Sequence, residues 1–501
     1  MLLVPLPYHT SDPPPTIQSA ISVIAQHKMP ATRMQTVAGT LGNVLEWYDF
    51  AIFGFFSDII AKLFFPPTNG ASENLVRSFA VYGGAFVMRP MGGMLIGYLG
   101  DKHGRKYALV TSLCLMAVPT FALGCLPTYD QIGSWSTVLL VICRLLQGIS
   151  VGGQLPASLL YTMESRPKER WGLFGSFVMM SANIGTLLGN LIGALVRTLL
   201  TDEELLKWGW RIPFWSGLLI SLVAVYLRLH GEEHHPNEGQ YDNEVGEGQD
   251  HSLPKYPLRE AVRKENLMAL ISATLTPMLW GAGFYLSFVW MAIYMSELID
   301  EPLENAFWIN SISLLLGIII PVPLAGWLSD RCGRRRTMVI GALGLGGLGP
   351  VLLYVISRGR AFQACLCQIC IGWLLSLFGG PMGAWLGERF PPKVRLTSVS
   401  LGYDIAHSTA SGFSPLIATI LSQKLNPTAP GILYTLFAVI ALIGIMISTQ
   451  IHHDETSNSN NNNNDTAEAT FEQELSDGEP KESRGEAVST DTEVEEANKI
   501  V

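Results

Sequence analysis

Charge is what this chain has least of. Asp, Glu, Lys and Arg make up 15% of its 501 residues, against about a quarter in soluble globular domains. That deficit argues against an ordinary water-soluble enzyme and points to lipid as the solvent for most of the chain. The charge that exists is unevenly placed. Residues 452–501 hold 14 acidic and 3 basic side chains, a net of −11 out of a total of −9, so the remaining residues net +2. Acidity is a property of the tail, and the body offers no basic field for nucleic acid.

Cysteine is scarce too. Of seven, Cys114, Cys125, Cys143, Cys365, Cys367 and Cys370 lie in apolar runs and Cys332 lies in a basic loop. None has the spacing of a secreted disulfide framework. Cys365, Cys367 and Cys370 cluster without a neighbouring His, so they read as buried small hydrophobes and no metal or cofactor is expected. A nucleotide loop, an HExxH zinc motif and a GxSxG elbow are all missing, which leaves nothing for a membrane enzyme to work with. The first 37 residues carry Pro13 to Pro15 and lack a basic stretch followed by an unbroken apolar run, so no cleaved secretory signal is expected.

What is abundant is long apolar runs. A bilayer core needs about 20 apolar residues per helix. Candidate spans fall at 38–60, 76–99, 107–126, 136–160, 173–197, 210–229, 267–295, 306–328, 337–356, 361–384, 398–421 and 430–451. This predicts an all-α membrane protein of twelve spans in two six-helix bundles, 38–229 and 266–451. A cytoplasmic segment (1–37) precedes them, a polar linker (230–265) separates them, and an acidic tail (452–501) follows. The tail holds Asn460 to Asn464 and cannot bury a core. His234 and His235 in the linker read as solvated residues. Alternate loops are basic: DKHGRK (101–106), ESRPKER (164–170), KYPLREAVRK (255–264), RCGRRR (331–336) and ERFPPKVR (388–395). The positive-inside rule puts these loops and both termini in the cytoplasm.

The halves repeat. GYLGDKHGRK (97–106) aligns with GWLSDRCGRR (326–335) at an offset of 229 residues, each after the second span of its half. Duplicated halves are typical of secondary carriers, with the substrate near the midplane between them. These blocks resemble the loop motif of the major facilitator superfamily. GNVLEWYDFAIFGFF (42–56) is similar to the first helix of its metabolite:proton symporter family, as are RPMGGMLIGYLGDKHGRK (89–106), RLLQGISVGGQ (144–154), WGWRIPFWSG (208–217) and ERFPPKVR (388–395) to later segments. The resemblance implies proton-coupled carriage of proline, betaines, 2-oxoglutarate, citrate, shikimate or related acids. Two positions depart from it. Gln154 stands where the family often has an acid, and Tyr403-Asp404 stands where Tyr-Asn is common. The superfamily's antiporter signature resembles Gly185, Gly189 and Gly193 but has Pro after the second Gly, here Asn190, which favours symport.

Ionisable groups inside a span default to functional candidates. Glu46 and Asp49 share one helix face at i and i+3. Two close carboxylates do not ionise together readily, so one of them can carry a proton. The alternative is a structural pairing with Arg89 or Arg144. Those two arginines offer donor forks for an anionic substrate, or for the same acids. Asp404 and His407 form a second candidate proton site, or else a hydrogen-bonded core pair. Asp58 reads as a surface residue. Gln154, Tyr285 and Tyr294 are candidate substrate contacts. Asn183, Asn190 and Asn310 either line the cavity or join helices by hydrogen bonds, and Trp290 and Trp385 either shape the pocket or pack between helices and at interfaces. Asp101, Gly104, Arg105, Asp330, Gly333 and Arg334 form the repeated loops and read as conformational latches, completed by Glu164, Arg170, Glu388 and Arg395.

The expectation is a multi-pass secondary transporter, monomeric, moving a small carboxylate or zwitterion with protons. The plasma membrane is favoured over an organelle envelope. A transporter-like sensor signalling through the tail, or a proton-independent uniporter or exchanger, are the other readings.

Overall fold

The computed structural model describes residues 31–447, apart from 67–70, 104, 153, 165, 216, 219–221 and 223–262. The expected N-terminal segment, most of the linker and the acidic tail therefore lie outside the described residues.

Among the described residues the fold is entirely helical. In hydrocarbon every backbone N–H and C=O must be satisfied within the segment, and a helix does this unaided. The helices in chain order are α1 (Ala31–Phe55), α2 (Ala71–Val87, resuming at Arg89–His103), α3 (Arg105–Cys125) and α4 (Ser134–Val151, resuming at Gln154–Glu164). Then come α5 (Trp171–Leu199) and α6, helical at 211–215, 217–218 and 222. The second half holds α7 (Glu265–Leu298), α8 (Ala306–Cys332), α9 (Arg334–Ile356), α10 (Ala361–Gly387), α11 (392–424) and α12 (Ala429–Ile447). Eight helices among the described residues are long and apolar enough to cross a membrane. The expected spans fall on these segments, apart from 210–229, most of which lies outside the described residues.

The surface is inverted relative to a protein folded in water. Phe362, Leu199, Trp135, Ile432 and Met446 are exposed, while Glu46, Asp49, Arg89, Arg144, Asn190, Asn310 and Gln368 are buried. A hydrophobic exterior around a polar interior suits a lipid solvent. Two sequence expectations are corrected. Cys114, Cys125 and Cys370 lie on the exposed apolar face, and Cys143 is the one buried cysteine among those described. Asp58 is buried and grips Arg197 through both carboxylate oxygens, at 2.7 and 3.0 Å. A carboxylate near a helix end cannot face lipid, and this one reaches a partner 139 residues away.

Small residues set the helix spacing. A Cβ on Gly185 of α5 would overlap the carbonyl oxygen of Val44 on α1, and one on Gly148 of α4 would overlap that of Ala85 on α2. The halves meet through α1 with α7, α2 with α11, α5 with α8 and α4 with α10. Shifting each helix number by six maps this set of pairs onto itself, so the interface carries the pseudo-twofold expected from the repeated loops.

Overpacking at such a contact costs about 1–3 kcal/mol. Gly148→Leu should therefore lower the detergent-solubilised melting temperature. Gly84→Ala, where a Cβ would meet nothing within 4 Å, should leave it within error, as measured by a size-exclusion thermal series on both variants.

Candidate functional site

At mid-depth between the halves lies one small cavity of about 10 Å³, room for a single water. Its wall combines Trp47 of α1, Leu155 of α4, Met179, Ala182 and Asn183 of α5, Trp280, Gly281, Phe284 and Tyr285 of α7, and His407 of α11. The aromatic members interlock. Trp47 stacks on Tyr285 with centroids 6.3 Å apart, meets Phe284 edge-on at 6.4 Å, and Phe284 stacks on Trp280 at 5.7 Å. Tyr285 opens a widened i→i+5 turn, Tyr285–Trp290. Such turns are frequent at functional sites.

The charged residues surround this box. Arg89 lies with its guanidinium carbon 4.6 Å from the Phe86 ring, 5.2 Å from Phe50 and 5.8 Å from Trp47. Arg144 faces Phe53 at 4.3 Å, Phe50 at 4.7 Å and Tyr82 at 5.2 Å. Phe50 is thus shared by two cations. Ring faces carry negative potential, so they offset part of the cost of burying the guanidinium groups. Arg144 also donates to Gln147 Oε1 at 2.9 Å, and Gln147 donates to Thr120 at 2.6 Å. In both arginines Nε and Nη2 have no hydrogen-bond acceptor among the described residues. Glu46 and Asp49 are buried on the same helix, and Asp49 reaches α6, where a Cβ on Gly217 would overlap its carboxylate. Arg89 and Glu46 lie within electrostatic reach of Tyr285 and Tyr403.

The remaining sequence candidates scatter. Asp404 and His407 are both buried on α11, and His407 stacks on Tyr403 at 3.9 Å. Gln154 is half-buried and accepts from Ser112 at 3.5 Å. Tyr294 is away from the cavity, stacked on Trp290 and donating to the Pro427 carbonyl at 2.7 Å. Trp385 is buried with Arg389 over its ring at 4.8 Å. Asn190 and Asn310 join α5 to α8: Asn190 donates to Phe307 O at 2.8 Å and Ser311 Oγ at 2.6 Å, and Asn310 donates to Asn190 Oδ1 at 3.1 Å. Trp280, Phe284 and Gln147 carried no signal of their own. Apolar residues inside a span read alike whichever way they face, and Gln147 stood out only as part of the block 144–154.

At the repeated-loop end the halves are tied by polar contacts. Asp330, at the end of α8, accepts from the backbone N–H of Gly172 (2.8 Å) and Leu173 (2.9 Å), capping the N-terminus of α5 from the other half. Arg334 donates to the Lys168 carbonyl at 2.7 Å and pairs with Asp330 and with Glu388. Arg395 pairs with Glu164 at 2.7 Å. Glu164 to Arg395 thus crosses between the halves, Glu388 to Arg334 lies within the second half, and Arg170 is exposed. Gly333 has φ +94, a conformation that favours glycine, at the turn between α8 and α9. Gly104 and the side chains of Asp101 and Arg105 lie outside the described residues.

The opposite end is closed as well. Trp308 donates to Thr198 at 3.1 Å, and Arg197, held by Asp58, lies over the Phe307 ring at 4.3 Å. Among the described residues the halves are therefore tied by polar contacts at both ends.

Comparison with known proteins fits this architecture. The profile of the Major Facilitator Superfamily matches residues 39–322 and 307–478. A proline/betaine transporter of Salmonella typhimurium is 31% identical over 432 residues, covering 85% of this chain and 84% of that protein. A proline/betaine transporter of Escherichia coli K12 is 30% identical over 434 residues, with the same coverage of each chain. Among solved structures, the xylose transporter of E. coli in a partially occluded inward-open conformation superposes with a TM-score of 0.64 at 19% identity, over 83% of this chain and 96% of that one. Family profile, relatives and fold agree: this chain is an integral, multi-pass transporter that belongs to the major facilitator superfamily and is related to its proline/betaine transporters.

Proposed function

We propose that the protein is a proton symporter for a small zwitterion that carries a carboxylate and an ammonium group, working by alternating access. The observation that carries this reading is the pairing of an aromatic box with an under-satisfied guanidinium. Trp47, Trp280, Phe284 and Tyr285 wall the central chamber. Ring faces of this kind hold a substituted ammonium. Beside them Arg89 keeps Nε and Nη2 donors without an acceptor among the described residues. A buried N–H without a partner costs about 1–3 kcal/mol, and a carboxylate docking bidentately removes that cost. The relatives' names, proline/betaine transporter, describe this kind of compound. The substrate enters only after the chamber widens, since its present volume holds one water.

Proton coupling falls to Glu46 and Asp49, the buried acids on α1, with Asp404 of α11 as a further buried carboxylate for the same task. Protonating an acid near two buried cations changes which contacts hold the halves together. The ionic contacts of Asp330, Arg334, Glu388, Glu164 and Arg395 close the repeated-loop end, which by its basic loops is the cytoplasmic end. The halves 38–229 and 266–451 are the bodies that rock, and one chain suffices.

Replacing Glu46 by Gln together with Asp49 by Asn should abolish uphill accumulation in proteoliposomes under an inward proton gradient. Counterflow exchange at zero gradient should persist. Protonophore-sensitive accumulation in the double variant would reject these acids as the proton carriers. For the latch, Glu164→Gln and Arg395→Gln should show a coupling of about 0.5–1 kcal/mol in a double-mutant cycle of thermal stability. Strict additivity would mean that the pair does not hold that end shut.

A further inference from the structure

His407 sits in the chamber wall with one ring nitrogen committed and the other free. Its Nδ1 lies 3.1 Å from the Tyr403 carbonyl oxygen. A carbonyl only accepts, so in the neutral ring Nδ1 carries the hydrogen and Nε2 presents a bare lone pair. Stacking on Tyr403 at 3.9 Å, with 22° between the rings, fixes the ring plane. The side chain is fully buried, and Nε2 has no hydrogen-bond partner among the described residues. Gly281, also in the wall, faces that nitrogen: a Cβ there would lie 3.6 Å from it. A Cβ at this position would first overlap the Ser411 hydroxyl, so glycine makes room for that group beside the imidazole. Arg89 is within electrostatic reach of the same imidazole.

We infer that His407 is a specificity-determining residue that accepts a hydrogen bond from an ammonium N–H of the substrate, so that zwitterions bearing N–H are favoured over fully alkylated ones. The inference rests on the zwitterion reading given above. The aromatic box holds any ammonium by its charge and is indifferent to hydrogen content. An acceptor lone pair in the same wall is not indifferent. It gains a charge-assisted hydrogen bond from a secondary ammonium and meets only methyl groups on a quaternary one. The carboxylate on Arg89 and the N–H on His407 would fix the substrate at both ends, with the rings between. This assignment replaces a proton-carrying role for His407.

The test compares L-proline with N,N-dimethylproline, which share a carbon skeleton and differ in N–H. Initial uptake of each is measured in proteoliposomes of the full chain, for the wild type, His407→Leu and His407→Gln. The wild type should favour L-proline about tenfold or more, the scale of one hydrogen bond to a charged group. His407→Leu should collapse that ratio towards one. His407→Gln, which offers an amide oxygen at similar reach, should recover a several-fold part of it. A wild type that takes the quaternary compound equally well or better overturns the inference without any variant being needed. So does an unchanged ratio in His407→Leu, whether total uptake falls or only uphill accumulation is lost. If the wild type carries neither compound, the zwitterion reading itself fails and this assignment falls with it.

Discussion

Two guanidinium groups that reach no solvent dominate this molecule. Arg89 and Arg144 are buried in a bundle whose outer surface is apolar. An uncompensated ion in such surroundings would cost several kcal/mol after relaxation. The packing around them answers that cost. Phe50, Phe53, Tyr82, Phe86 and Trp47 turn ring faces to the cations, and Gln147 takes one Arg144 donor. Two buried acids lie on the adjacent α1. The close contacts that bring α2 and α4 together, with glycine at 148 against Ala85, hold the two arginines around one ring. One of these rings, Trp47, also builds the wall of the chamber, and Tyr285 of that wall packs on two others, Tyr82 and Phe86. The aromatic cluster around the cations therefore continues into the chamber wall.

The two ends are held by a second set of contacts that is independent of the first. At one end a carboxylate from α8 caps α5 across the halves, and two ion pairs flank it. Towards the other end Asn190 and Asn310 link α5 to α8, and Arg197 lies over Phe307. These interactions are short, polar and few, and each is worth little alone. Contacts of this kind suit the alternating access proposed above, in which the halves separate at either end without unfolding. Large apolar contacts there would trap one state, since packed interfaces are bistable and resist gradual deformation.

Much of this was legible in the residues. Long apolar runs announced the all-helical membrane fold, and eight helices among the described residues are long and apolar enough to span, because lipid leaves the chain no alternative to helices of that length. The repeated loops announced the duplicated halves. The charge-poor spans made Glu46, Asp49, Arg89 and Arg144 conspicuous, since burial of a charge needs a reason. Other features were not readable. Asp58 and Arg197 lie 139 residues apart, and nothing local says that they meet. The latch pair that crosses the halves, Arg395 and Glu164, joins partners 231 residues apart. Trp280 and Phe284 look like any other apolar residue in a span, so the aromatic box became visible only when α1 and α7 were brought face to face. Tyr294 illustrates the converse: its type suggested the chamber, yet its helix carries it past the chamber to bond with Pro427.

The most direct measurement of the central claim is electrical. Proteoliposomes on a solid-supported membrane, with no ion gradient imposed, receive a pulse of L-proline or glycine betaine. A zwitterion is neutral, so its entry with a proton moves one positive charge inward and produces a transient current, accompanied by alkalinisation of the outer solution. That pair of signals is the predicted result. Substrate uptake with no current and no pH change would contradict proton symport and leave a uniporter or exchanger.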